Sequence, residues 1–241
     1  ISHGSPHPDF ERAFREFLDS LIDSLPENRI LGSTLSGSGP SPESILQKVG
    51  PKDPWLAVPL LLSAASHSTE IQQRLQPFMK THQIMVVRTL ENNPGLADLW
   101  LRLARSALEN IPSAERNPKK THLLAVTHDG ESPESLPETW RQRISTGLEL
   151  PCSLARYSPK HLKLEKSLDE LPWPALRHLI LLPLILFPGA TLEKMKWRTD
   201  QHLAARVPRQ DILCHWAVPL GPGPELTRLC VNSLRASLES I

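Results

Sequence analysis

Apolar side chains in the first 25 residues fall at Phe10, Phe14, Phe17, Leu18, Leu21, Ile22 and Leu25, with charges between them. That period predicts an amphipathic helix over DFERAFREFLDSLIDSL, capped by Asp9 and ended by Pro26. Beyond it, short apolar runs alternate with helical patterns. NRILGSTL, WLAVPLLL and QIMVVRTL read as strands. ILQKV, a segment starting near Thr69 and PGLADLWLRLARSAL read as helices. Thr69 and Gln72 have the spacing of a capping box.

From about residue 118 the order restarts. HLLAVT, CSLARY, LRHLILLPLIL and DILCHWAVPL are the expected strands, and SPESLPETWRQRI, ATLEKMKWRTDQHLAARV and PELTRLCVNSLRASL the expected helices. This alternation predicts parallel sheets with helices on both faces. Three pairs of segments point to an internal repeat: ISHGSP with VTHDGESP, VPLLLSAASHSTEI with LPLILFPGATLEKM, and RTLENNPGLADLW with VPLGPGPELTRLC. The expected organisation is two similar βα lobes, 1–117 and 118–241, with a cleft between them. Leu123 to Val126 precede Thr127-His128 in the second copy, whereas only Ile1 precedes Ser2-His3 in the first. Most of the first strand is therefore expected to be absent from this chain.

Composition narrows the partners. With 27 basic and 26 acidic residues the chain lacks the cationic excess of a nucleic-acid or membrane-surface binder. Its longest apolar run, HLILLPLILFPGA, is too short for a bilayer span of about 20 residues. Three cysteines, Cys152, Cys214 and Cys230, form no CxxC pair. They are read as buried thiols of a reducing compartment, here the cytoplasm. Trp55, Trp173 and Trp216 are expected in the core. His82, His122, His161, His178, His202 and His215 lack partners at ligand spacing and are read as structural or exposed.

The candidate chemistry lies at strand ends, where open parallel sheets gather their ligands. His3 follows the first strand and His67 follows WLAVPLLL. Neutral imidazole ligates divalent first-row metals and, with an ordinary pKa of about 6.5, takes protons near neutrality. Loading a metal into a nitrogen macrocycle requires both. Arg88, directly after a strand, is the better candidate for a cation at the rim of that site. Arg74, Lys194, Lys196 and Arg198 are further candidates, of which Arg74 and Lys196 are read as solvated.

His3-Gly4-Ser5 with Pro8, PLLLSAASH ending in His67, and the NPGLADL and GPGPELTRL segments together resemble the CbiX-type class II chelatases in their long, two-repeat form. These are sirohydrochlorin cobalto- or ferrochelatases. The resemblance implies that His3 and His67 face each other, bind the metal and assist proton removal. Ser5, His7, Ser66, Arg88 and His128 would contact the substrate. It further implies sirohydrochlorin as partner, Co²⁺ or Fe²⁺ as a substrate rather than a cofactor, and a monomer or homodimer. The chain departs from its relatives at several points. Pro6-His7 replace a common Arg-Asp, Ala65 and Ser66 replace glycines, and SGSGPSPES carries no acid before Glu43. Thr191 stands where the second copy would need a counterpart of His67, so that half forms the opposite wall of the cleft. Two other classes are compatible with the residues: a tetrapyrrole or metal carrier that turns nothing over, and a structural α/β protein.

Overall fold

The protein is described here by a computed structural model covering residues 1–37, 39–51, 54–62, 66–87, 90, 93, 95–128, 135–206 and 212–238. By contact the chain divides into two units, 1–96 with 186–190 and 221–241, and 97–185 with 191–220. A division at 117/118 would differ from these units in the placement of the last helix and most of the fourth.

In the first unit, helix α1 (Pro8–Ser24) buries Phe10, Ala13, Phe14, Phe17 and Leu21, as its period requires. Its cap is His7 rather than Asp9: Nδ1 of His7 accepts from Asp9 N–H at 3.3 Å. Pro8, at the first helical position, needs no hydrogen-bond partner for its nitrogen. Helix α2 (Pro42–Val49) is capped by Ser41, whose Oγ accepts from Ser44 N–H. Helix α3 (Ser66–His82) begins before Thr69, so Thr69 lies within the helix and not at its cap.

The strands of this unit are shorter than expected. Strand β1 (Trp55–Ala57) pairs in parallel with β2 (Ile84–Val86), Trp55 opposite Ile84. Pro59, which has no N–H, interrupts the run before Leu60. NRILGSTL forms no strand. Ser2 instead bridges Thr34 on one side and Leu60 on the other, both in parallel. Leu35 N–H donates to Ser2 O at 2.9 Å and Leu60 N–H to Ile1 O at 2.7 Å. The lateral order is thus 33–35, 1–3, 55–60, 84–87. Leu35, Leu46, Leu61, Ile71, Leu75 and Ile84 pack as its core.

The second unit carries a four-stranded parallel sheet in the order β4-β3-β5-β6, from β3 (Thr121–His128), β4 (Cys152–Tyr157), β5 (His178–Pro183) and β6 (Leu213–Trp216). Taken in chain order, this is the same 2-1-3-4 arrangement as in the first unit. All six residues of β5 are buried, as a central strand covered on both faces demands. Helix α4 (Gly95–Glu109) carries the fully buried Trp100, and α5 (Ser135–Leu148) the nearly buried Trp140. These two are the core tryptophans; Trp55, Trp173 and Trp216 only pack against core margins. Helix α6 (Lys163–Asp169) has no counterpart among the expected elements. Helix α7 (Ala190–Arg206), and α8 (Pro224–Leu238) of the first unit, follow the pattern read from the sequence. No helix among the described residues is long and apolar enough to cross a membrane. Cys152 and Cys230 are buried, and burial pushes both thiols up to about 12. Cys214, on strand β6, is exposed rather than buried.

Candidate functional site

His3 and His67 come together in the first unit. Their ring centroids are 4.5 Å apart and the planes meet at 71°. His3 leaves the sheet at the carboxyl end of the 1–3 segment, and His67 lies in the first turn of α3. The backbone at His3 is held firmly: its carbonyl accepts from Ser36 N–H at 2.8 Å and from Ser36 Oγ at 3.0 Å.

The ring nitrogens are differentiated by their partners. His3 Nδ1 lies 3.0 Å from the Gly4 carbonyl oxygen, which can only accept, so this nitrogen carries the proton. His67 Nδ1 faces Glu70 Oε2 at 3.4 Å, and the same logic applies. Nε2 is then the atom each ring offers as a metal ligand or base. Among the described residues no group of three or more His, Cys, Asp or Glu side chains is set to hold a metal ion.

The remaining expected residues are distributed unevenly. Ser5 Oγ accepts from His7 N–H at 3.2 Å, so Ser5 and His7 shape the turn that presents His3. Ser66 opens α3, its side chain lying outside the described residues, and Arg88 lies outside them altogether. His128 ends β3 in the second unit, its ring 5.9 Å from that of Tyr157. Arg198 is engaged by Glu165, the carbonyls of Ser158 and His161, and the Tyr157 ring, which makes it a structural cation. Lys196 pairs with Glu193. Arg74 is not simply solvated, for it binds Glu70 at 2.9 Å and faces Glu43 at 3.8 Å. Glu70 escaped the sequence reading, although its position three residues after His67 on a helix was a usable signal.

Five of the histidines read as lacking partners at ligand spacing have polar ones. His82 contacts the Leu46 carbonyl at 3.1 Å, His122 contacts Ser153 Oγ at 2.9 Å and His202 contacts Asp169 at 2.9 Å. His178 Nδ1 meets His215 Nε2 at 3.1 Å and its Nε2 faces Glu115 at 3.5 Å.

Comparison with known proteins places this geometry in a class. The chain superimposes on DR2241 of Deinococcus radiodurans, a multi-domain protein with structural similarity to chelatases, with a TM-score of 0.69 at 19% identity. The match covers 95% of this chain and 52% of DR2241, so the chain spans about half the length of that relative. CbiX, the terminal enzyme for siroheme biosynthesis in denitrifying bacteria, matches with a TM-score of 0.63 at 18% identity, over 98% of this chain and 96% of the other. The sirohydrochlorin chelatase SirB from Bacillus subtilis subspecies spizizenii, in complex with cobalt, matches at 0.65 and 14%, over 99% and 93%. The fold is that of the chelatases. Residues 1–107, the span that holds both histidines, match the CbiX family model. No curated protein matches it in sequence.

Proposed function

We propose that the protein inserts a divalent metal, Co²⁺ or Fe²⁺, into sirohydrochlorin. The observation that carries this reading is the pair of imidazoles 4.5 Å apart at the carboxyl end of a parallel sheet. The family match over the same residues supports it. In this mechanism M²⁺ docks on Nε2 of His3 and His67, with water in its other positions. The macrocycle approaches with its nitrogen lone pairs toward the ion, distorted by contacts made at its carboxylated periphery. As the metal passes to the ring nitrogens, two N–H protons leave the macrocycle. The vacated imidazoles accept them, and the charge balances: one dication enters and two protons leave.

The test is anaerobic incubation with sirohydrochlorin and each metal, followed by absorbance. His3→Ala and His67→Ala should each reduce the insertion rate by about 100-fold or more, the scale of losing a positioned acid–base group. Wild-type rates in both variants would remove the mechanism. Stoichiometric macrocycle binding without product would make the protein a carrier instead.

A further inference from the structure

Three charged groups stand behind His67 in a continuous line. His67, Glu70 and Arg74 follow one another at spacings of three and four residues on α3, which stacks them along one helix face. Glu70 Oε2 faces His67 Nδ1 at 3.4 Å, while its other oxygen accepts from Arg74 at 2.9 Å. Arg74 Nε in turn lies 3.8 Å from Glu43 Oε1, in the first turn of α2. Such pairs contribute little to stability at partly exposed positions. Their geometry has another consequence. A carboxylate on one imidazole nitrogen fixes the tautomer and ring orientation and makes the other nitrogen a better donor. Among the described residues His3 Nδ1 meets a backbone carbonyl in that place, so the two rings are not equivalent.

We infer that Glu70 is a positioning residue: it holds His67 with its proton on Nδ1 and Nε2 turned to the metal, and Arg74, anchored by Glu43, holds Glu70. The inference rests on the chelatase reading for its purpose, but its physical content is separable. The test pairs histidine ring ¹⁵N spectra with Co²⁺ titration of the metal-free protein. The His67 signal is assigned by its loss in His67→Ala. Wild-type His67 should show the Nδ1–H form. Glu70→Ala should move it to the Nε2–H form and weaken Co²⁺ binding by about 10- to 100-fold, with altered d–d bands and an unchanged unfolding midpoint. Glu70→Gln retains an acceptor oxygen and should keep the tautomer with a smaller loss. Arg74→Ala should give a partial loss in the same direction without touching the imidazole. A Glu70→Ala protein that keeps the Nδ1–H form, or binds Co²⁺ within about twofold of wild type, overturns the inference. If His67→Ala itself binds Co²⁺ as wild type does, the metal site is misassigned, and the tautomer measurement still decides the role of Glu70.

Discussion

Gly4 has φ +90°, and a Cβ there would lie 1.9 Å from the Ser36 carbonyl oxygen. No side chain fits, and the same tight approach lets Ser36 hold the His3 carbonyl. Gly4→Ala combines left-handed strain with a backbone clash and should cost at least about 2 kcal/mol. Because the shift falls next to His3, it should also weaken Co²⁺ binding. Gly50 is the matched control: φ is +74°, yet nothing lies within 4 Å of its added Cβ. Gly50→Ala, with ψ at 172°, carries the backbone strain without the clash, about 1–3 kcal/mol, and should leave metal binding intact. Urea denaturation and Co²⁺ titration of the two variants check both statements. At this scale the sequence was partly readable. The helix itself was legible from its period, but its cap was not: Asp9 was the expected cap and His7 forms it, because side-chain direction at a helix start is decided by the preceding turn.

At the scale of elements, β3 and β5 were legible because strands buried on both faces leave long apolar runs. The sheet of the first unit was overread, since its pairing depends on residues 1–3 and on Pro59, not on the apolarity of NRILGSTL or WLAVPLLL. Helix α6 was missed because seven residues give too few turns for a period to emerge. The His178–His215 contact was illegible for another reason: it arises from strand register, in which His178 opposes Leu213 and Ile180 opposes His215. This contact carries a pH prediction. Burial, and secondly His178, lower the His215 pKa; burial also lowers that of His122. The unfolded chain therefore binds more protons than the folded one below about pH 6.5. Stability should be fully present above that value and decline as pH falls through the lowered folded values. Glu138, held below the ordinary carboxylate range mainly by its hydrogen bond from Arg141, extends the decline at more acidic pH, below about 4.5. Unfolding midpoints from pH 7.5 to 5 should slope downward toward acid, and a His122→Gln, His215→Gln double variant should flatten that slope. An unchanged slope would show that other groups set the acid sensitivity.

For the whole molecule, the decisive fact is that the first unit is not a continuous stretch of chain. Phe187, from the 186–190 segment, sets its ring 5.9, 5.7 and 5.5 Å from those of Phe10, Phe14 and Phe17. Helix α8 packs on α1, where Thr227 Oγ1 donates to Ser20 Oγ at 3.0 Å. The buried face of α1 is thus completed by residues more than 150 positions downstream, and the histidine pair depends on that completion because His3 leads directly into α1. Phe187, 7% exposed, should cost about 3–5 kcal/mol on truncation to alanine, comparable with the total stability of many domains. A fragment of residues 1–117 lacks both Phe187 and α8, leaving Phe10, Phe14 and Phe17 without their cover. It should remain partly folded, bind a hydrophobic dye and lose the cooperative thermal transition of the full chain. Its Co²⁺ affinity should fall with its structure even though His3, His67 and Glu70 are all present. A 1–117 fragment that melts cooperatively and binds Co²⁺ like the full chain would show that the first half supports the imidazole pair by itself.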